Sequence, residues 1–292
     1  MSQHPDARLD VAALHAAIVA HDPDLAGLSY VAHHAGWDSV AIDVDDRLIF
    51  KFPRHDSDRT SLRREARLIA AARPHVRLAI PDLRIVEAGI VFSRHAKIPG
   101  AHLLPEHYAA LPEMAREVLA ADMARFFADL HALSRARMEA AGARPVEWYD
   151  SGTIAARVLP LLDPPLRNWA ETTLADWGAL GADPYGEVYG FFDGHGWNMA
   201  FDHERQRLNG VYDFGDSGIA PLHQEFVYPG LIARDLIQRI LPHYERETGR
   251  MIDPHRVMTL AGVHRLFEVA QHYDDAPNRP AMLDSLAQWA RT

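Results

Sequence analysis

The chain has no cysteine, which excludes a disulfide scaffold, thiolate zinc sites and cysteine nucleophiles and leaves any chemistry to oxygen and nitrogen groups. Lysine is almost absent too: Lys51 and Lys97 are the two lysines among 30 basic residues, and the rest are arginine. No apolar run reaches the roughly 18 residues of a membrane span, and no charged-then-apolar start resembles a signal peptide. A soluble, cytoplasmic, monomeric protein with no membrane partner is the expectation. The 18 histidines are scattered without HExxH spacing, which argues for surface and core histidines over a zinc site. Forty acidic residues give a formal charge of −10, which disfavours a nucleic-acid partner and suits a cationic small molecule. At 292 residues, 48% hydrophobic and 24% charged, the chain is long enough for one large domain or two lobes with separate cores.

Hydrophobic spacing divides the chain. Residues 6–20 have helical periodicity, and residues 28–54 alternate as short strands that turn at Gly36 and at Asp45 and Asp46. Residues 56–74 open with cap-type residues and run as a helix, and residues 82–100 return to strand character before a Pro99-Gly100 break. The first hundred residues therefore predict a small sheet with a helix packed on it. Beyond them the spacing predicts one long amphipathic helix over 111–141 and further helices over 164–180, 229–246, 254–273 and 280–291. Three short strand-like pieces interrupt this helical half between 187 and 213. No internal repeat or low-complexity segment is present. The fold class is α+β.

In "LIFKFP", Leu48, Phe50 and Phe52 share one face and Lys51 lies on the other beside Ile49. Two readings stand: a lysine snorkelling at a strand end, or an ammonium held by a partner. Glu65, fourteen residues on in "LRREARL", can reach back to a neighbouring strand, although it also fits a solvated charged face with Arg63, Arg64 and Arg67. Two acidic loops flank the central strands, "FFDGHGWN" at 191–198 and "YDFGDSG" at 212–218. Asp193 followed five residues later by Asn198 can set a carboxylate near a hydroxyl and an amide oxygen near a metal, and Asp213 can complete an oxygen-ligand Mg²⁺ site. Singly, Asp and Asn in loops are commonly turn formers. Their order and spacing together are much less common.

A strand lysine, a helix glutamate, Asp-x4-Asn and Asp-Phe-Gly follow one another as in the protein-kinase fold. Within that fold the chain resembles the aminoglycoside phosphotransferase family, through "GWDSVAIDVDDRLIFKFPR", "SLRREARLIAA", "HAKIPG", "MARFFADLHAL", "DGHGWNMAFD" and "GVYDFGDSGI". "FKFPR", "KIPG" and "DFGD" are most similar to the branch that phosphorylates the 2-double-prime hydroxyl. The resemblance implies a bilobal fold, with a nucleotide-binding lobe over residues 1–98 and a mainly helical lobe with the catalytic loops and acceptor site over 99–292. It implies Asp193 as catalytic base, Asn198 and Asp213 as Mg²⁺ ligands, and Lys51, held by Glu65, as phosphate clamp. Ala96 and Ile98 fall in the hinge whose backbone binds the purine of ATP or GTP, with Lys97 between them facing solvent. Residues 36–40, Ser39 among them, take the place of the loop over the nucleotide, though one glycine does not make a GxGxxG pattern. Asp216, Glu268, Asp274 and Asp275 are candidates for binding the ammonium groups of a cationic acceptor.

Departures from the family pattern leave alternatives open. Phe191 stands where members usually have the histidine of His-Gly-Asp, while His195 matches a position often occupied by histidine; Pro221 and Glu225 replace two common aspartates. Such changes mean either a repacked loop or a lowered or absent transferase activity. An aminoglycoside kinase is the favoured function. A kinase for another hydroxyl metabolite (amino alcohol, sugar or macrolide) and a nucleotide-binding pseudokinase are the alternatives.

Overall fold

The computed structural model describes residues 10–33, 39–275 and 277–291; Gly36, one of the expected strand turns, lies outside them, as does the start of the 6–20 helix. Helix α1 (Val11–His21) leads to β1 (Tyr30–His33), β2 (Ser39–Val44) and β3 (Leu48–Pro53), then α2 (Asp56–Ala72), β4 (Arg84–Ala88) and β5 (Ile90–Ala96). The strands form one antiparallel sheet in the order β1-β2-β3-β5-β4. Asp45 and Asp46 both take left-handed backbone (φ 56° and 55°), the geometry that matches a tight turn to the twist of its strands. The alternation of β3 places Phe50 and Phe52 against Leu14 and Ile18 of α1 and Phe92 of β5, and turns Lys51 to the opposite face.

Past the sheet come α3 (Pro105–Ala109), α4 (Glu113–His131), α5 (Arg135–Ala141), α6 (Ser151–Val158) and α7 (Pro164–Ala179). Four short strands follow, β6 (Glu187–Gly190), β7 (Met199–Asp202), β8 (Arg207–Val211) and β9 (Gly218–Pro221), and then α8 (Arg234–Thr248), α9 (Pro254–Gln271) and α10 (Arg279–Arg291). The strands pair as β6 with β9 and β7 with β8. The larger core gathers Phe126 and Phe127 of α4, Tyr189 of β6, Phe191, Phe214 and Ile237 of α8.

The structure corrects the sequence reading in several places. The expected helix over 111–141 is two, because Ser134 takes extended backbone (φ −62°, ψ 124°) and restarts the chain as α5. Serine favours such starts, since its hydroxyl competes for backbone partners inside a helix. The helix expected from 229 begins at Arg234, because residues 222–231 wind as tighter 3₁₀ turns that include Pro229. Helix α6, capped by the Asp150 carboxylate on the Thr153 amide, and strand β9 carry too few residues to register as periodic runs. Among the described residues no helix is long and apolar enough to cross a membrane.

Candidate active site

Lys51 sits on β3 opposite Ala41 of β2 and Ser93 of β5, on the face that α2 covers. Its Nζ lies 3.4 Å from Glu65 Oε1 and 3.0 Å from Asp213 Oδ1. Burial alone pushes the ammonium down; Asp213 and then Glu65 outweigh it and hold Lys51 well above its usual value. Glu65 is buried, so it is not part of the solvated face to which Arg63 belongs. Its Oε1 also accepts the Phe214 backbone N–H at 3.1 Å, so one oxygen ties the strand lysine to the loop after β8. Desolvation raises the Glu65 carboxyl above the ordinary range, whereas the Lys51 charge lowers that of Asp213, which keeps half of its side-chain surface open.

The β7–β8 ribbon closes the gap in sequence between Asn198 and Asp213. Its register pairs Met199 with Val211, and the Tyr212 amide donates to the Asn198 carbonyl at 3.0 Å, leaving Asp213 as the next residue. Asn198 Nδ2 donates to Asp193 Oδ2 at 2.6 Å and to the Asp193 carbonyl at 3.1 Å. The other carboxylate oxygen, Oδ1, lies 3.1 Å from His195 Nε2. Asp193, Asn198, Asp213, Lys51 and Glu65 are thereby joined through two contiguous sets of contacts. Phe192 (φ 51°) and Asp213 (φ 68°) hold left-handed backbone without being glycine, a conformation that costs about 1–3 kcal/mol and persists where the surroundings over-determine it.

Phe191, in the position of the missing histidine, is fully buried and packs 4.8 Å from Phe214 and 5.5 Å from Phe126, ring centre to ring centre. The loop is instead held by Glu225, whose buried carboxylate accepts the backbone N–H groups of Phe191 (2.8 Å) and Phe192 (2.9 Å). His131 Nε2 meets the same carboxylate at 3.2 Å, and its Nδ1 lies 2.8 Å from the Tyr244 hydroxyl. At Gly190 a Cβ would lie 2.1 Å from Glu225 Oε2, so only glycine admits the glutamate. Sequence reasoning registered Glu225 as a departure and missed its role, because a contact to backbone amides more than 30 residues away leaves no local pattern. His131 sat unremarked inside "MARFFADLHAL".

The Asp213 carboxylate and the Asn198 amide oxygen are hard donors of the kind Mg²⁺ takes, few in number and leaving positions for phosphate and water. Both amide N–H contacts of Asn198 go to Asp193, so its oxygen is the end left for a cation. The expected hinge residues, Ala96 and Ile98, lie where β5 ends. Lys97, expected to face solvent, is partly exposed and also paired: its ammonium meets Asp43 at 2.5 Å and the exposed Asp46, and its amide donates to the Arg47 carbonyl at 2.8 Å. Ser39 opens β2 opposite Pro53; the preceding residues 34–38 lie outside the described set.

A cavity of about 630 Å³ opens beside the Asp193–Asn198 loop, lined by His195, Gly196 and Trp197, by α9 and by α10. Gly196 is required there, since a Cβ would come 1.8 Å from the Leu103 carbonyl oxygen. Of the four candidate acceptor carboxylates, Glu268 lines this cavity, and Asp216, Asp274 and Asp275 are not among its lining residues. Asp275 is engaged by Asn278, whose side-chain amide donates to it at 2.8 Å, and Asp274 is exposed beyond the end of α9.

A small antiparallel sheet with one covering helix, set on a mainly helical part that carries the acidic loops, is a protein-kinase-like fold. The chain belongs to the phosphotransferase enzyme family, whose sequence model matches residues 29–260. Among solved structures it is similar to the GDP complex of wild-type aminoglycoside 2'-phosphotransferase-IIIa (TM-score 0.84, 22% identity, 97% of this chain and 99% of that one). It is also similar to the streptomycin-ATP ternary complex of APH(2")-IIa (TM-score 0.65, 20% identity, 94% and 96%). A third is the macrolide 2'-phosphotransferase MphH from Brachybacterium faecium (TM-score 0.65, 19% identity, 94% and 97%). At these identities the likeness is one of fold. No curated protein sequence matches the chain significantly.

Proposed function

We propose that the chain moves the γ-phosphoryl group of ATP or GTP to a hydroxyl of a small molecule, with residues 1–98 as the nucleotide-binding lobe and 99–292 as the lobe of catalysis and acceptor binding. The observation that carries this reading is the pair of contact sets around Lys51 and Asp193. Glu65 steadies an ammonium that can meet phosphate oxygens as a point charge. Asn198 and His195 fix the Asp193 carboxylate, which remains one-fifth exposed to the cleft. The acceptor oxygen attacks the γ-phosphorus in line, the bond from that phosphorus to the bridging oxygen breaks, the nucleoside diphosphate leaves, and Asp193 takes the hydroxyl proton. Asn198 and Asp213 would hold Mg²⁺, which offsets phosphate charge when bound. Ser39 borders the phosphate site, and Ala96 and Ile98 present backbone to the purine.

Relatives in fold include enzymes named for aminoglycosides and for macrolides, which supports an antibiotic-like hydroxyl compound as acceptor. A binding-only pseudokinase would have no use for the ordered Asp193 carboxylate, and Glu225 supplies the loop support that Phe191 cannot. Incubation with Mg²⁺ and ATP or GTP across a panel of hydroxyl compounds, followed by product mass, tests the reading. A gain of one phosphate is expected; nucleotide binding with no transfer and no hydrolysis would favour the pseudokinase.

A further inference from the structure

The cavity beside the catalytic loop has walls unsuited to a polycation. Leu103, Trp197, Ile232 and Met282 supply apolar surface, and Glu268 is the sole carboxylate among the described lining residues. That carboxylate is already matched. Arg265 Nη1 lies 3.5 Å from Glu268 Oε2, and the guanidinium is fixed by the Gly230 carbonyl at 2.8 Å and the Ser285 hydroxyl at 3.3 Å. Burial further raises the Glu268 carboxyl, which weakens its hold on a cation. The arginine and the glutamate cancel, so the local charge differs from the −10 of the whole chain.

Trp197 adds the positive feature. It leaves 57% of its surface exposed at the rim of the cavity, one residue before Asn198, where a flat ring can carry the apolar face of a bound compound. A cavity of about 630 Å³ is of the size that takes a drug-sized molecule. An acceptor with several ammonium groups would bring more charges than the described lining residues and the neighbouring Asp193 carboxylate can pair, and each charge desolvated without a partner costs several kcal/mol.

Resting on the phosphotransferase reading above, we infer that the acceptor is a hydroxyl compound with a largely apolar body and no more than one basic amine, seated on Trp197 and the α9–α10 wall, and not a polyamine sugar. In-line transfer to its hydroxyl follows the same balance of bonds and proton as above.

The experiment compares kcat/KM for erythromycin, a lactone with one dimethylamino sugar, and for kanamycin, a polyamine, at saturating Mg²⁺-nucleotide. Acceptor-free nucleotide hydrolysis is measured alongside. Expected are a preference for erythromycin of about 100-fold or more, the equivalent of one unpaired charge, and a KM raised about tenfold by Trp197→Ala with little change in kcat. Kanamycin turned over as well as or better than erythromycin overturns the inference and leaves the phosphotransferase reading intact. Transfer to neither compound, with nucleotide still hydrolysed, overturns the inference alone. Transfer to neither with nucleotide neither bound nor hydrolysed overturns both.

Discussion

Replacing Glu65 by Gln isolates what the buried glutamate does for Lys51. The variant keeps an oxygen that can accept the Phe214 amide, 3.1 Å away in the wild type, and removes the charge 3.4 Å from the lysine. At an effective dielectric of about 20, that pair is worth about 5 kcal/mol of gross Coulomb energy. Lys51 retains Asp213 at 3.0 Å, so part of the loss is recovered, and about 3 kcal/mol is the expected net cost of removing one member of a buried pair. The lysine then rests on Asp213 alone and competes with Mg²⁺ for that carboxylate. Two results follow for acceptor-free hydrolysis of Mg²⁺-ATP or Mg²⁺-GTP: kcat/KM for nucleotide falls about 100-fold, and the Mg²⁺ concentration giving half-maximal rate rises. Thermal unfolding checks that the variant is folded. A folded Glu65→Gln protein with kcat/KM within threefold of wild type and an unchanged Mg²⁺ midpoint would refute the reasoning.

Two further predictions concern the frame around the site. Glu225→Gln exchanges a carboxylate that accepts two backbone amides and His131 for an amide with one acceptor oxygen, and is expected to lower stability in urea by about 3 kcal/mol and to slow turnover; an unchanged urea midpoint would remove the clamp from the account. His264 is packed among Trp148, Tyr228 and Phe267, and burial pushes its imidazole down to about 3. The unfolded chain, with the ordinary value near 6.5, takes up that proton first, so stability is fully present above about 6.5 and falls as pH drops, by about 2 kcal/mol at pH 5, levelling below about 3. His264→Phe should lack this component of the slope in urea unfolding measured from pH 7 to 5, and identical slopes would show that the residue does not titrate as described.

The parts of the site legible in the sequence are those written locally. Alternation in "LIFKFP" turned Lys51 away from the phenylalanines, helical spacing put Glu65 on the next element, and the short strands around 187–213 framed both acidic loops. Of the two readings of Lys51, snorkelling or held, the structure shows a held ammonium, with Asp213 as a second partner beside Glu65. What was not legible depends on tertiary contact. Glu225 reaches the amides of Phe191 and Phe192 across more than 30 residues, and Lys97 is drawn to Asp43 and Asp46 by strand pairing. The cavity beside the Asp193 loop is built from that loop, α9 and α10, elements distant in sequence, and the pairing of Arg265 with Glu268 in it is hidden beneath an acidic total. The break at Ser134 shows the complementary limit: apolar spacing continues through it, while the backbone does not.

The central claim is that Asp193 accepts the proton of a hydroxyl undergoing phosphorylation. Transfer from Mg²⁺-nucleotide to the best acceptor in the panel, compared in single turnover between wild type and Asp193→Asn, tests it most directly. The account predicts a loss of about 100-fold or more in the transfer rate with nucleotide affinity little changed. Transfer by Asp193→Asn within a few-fold of wild type would contradict it.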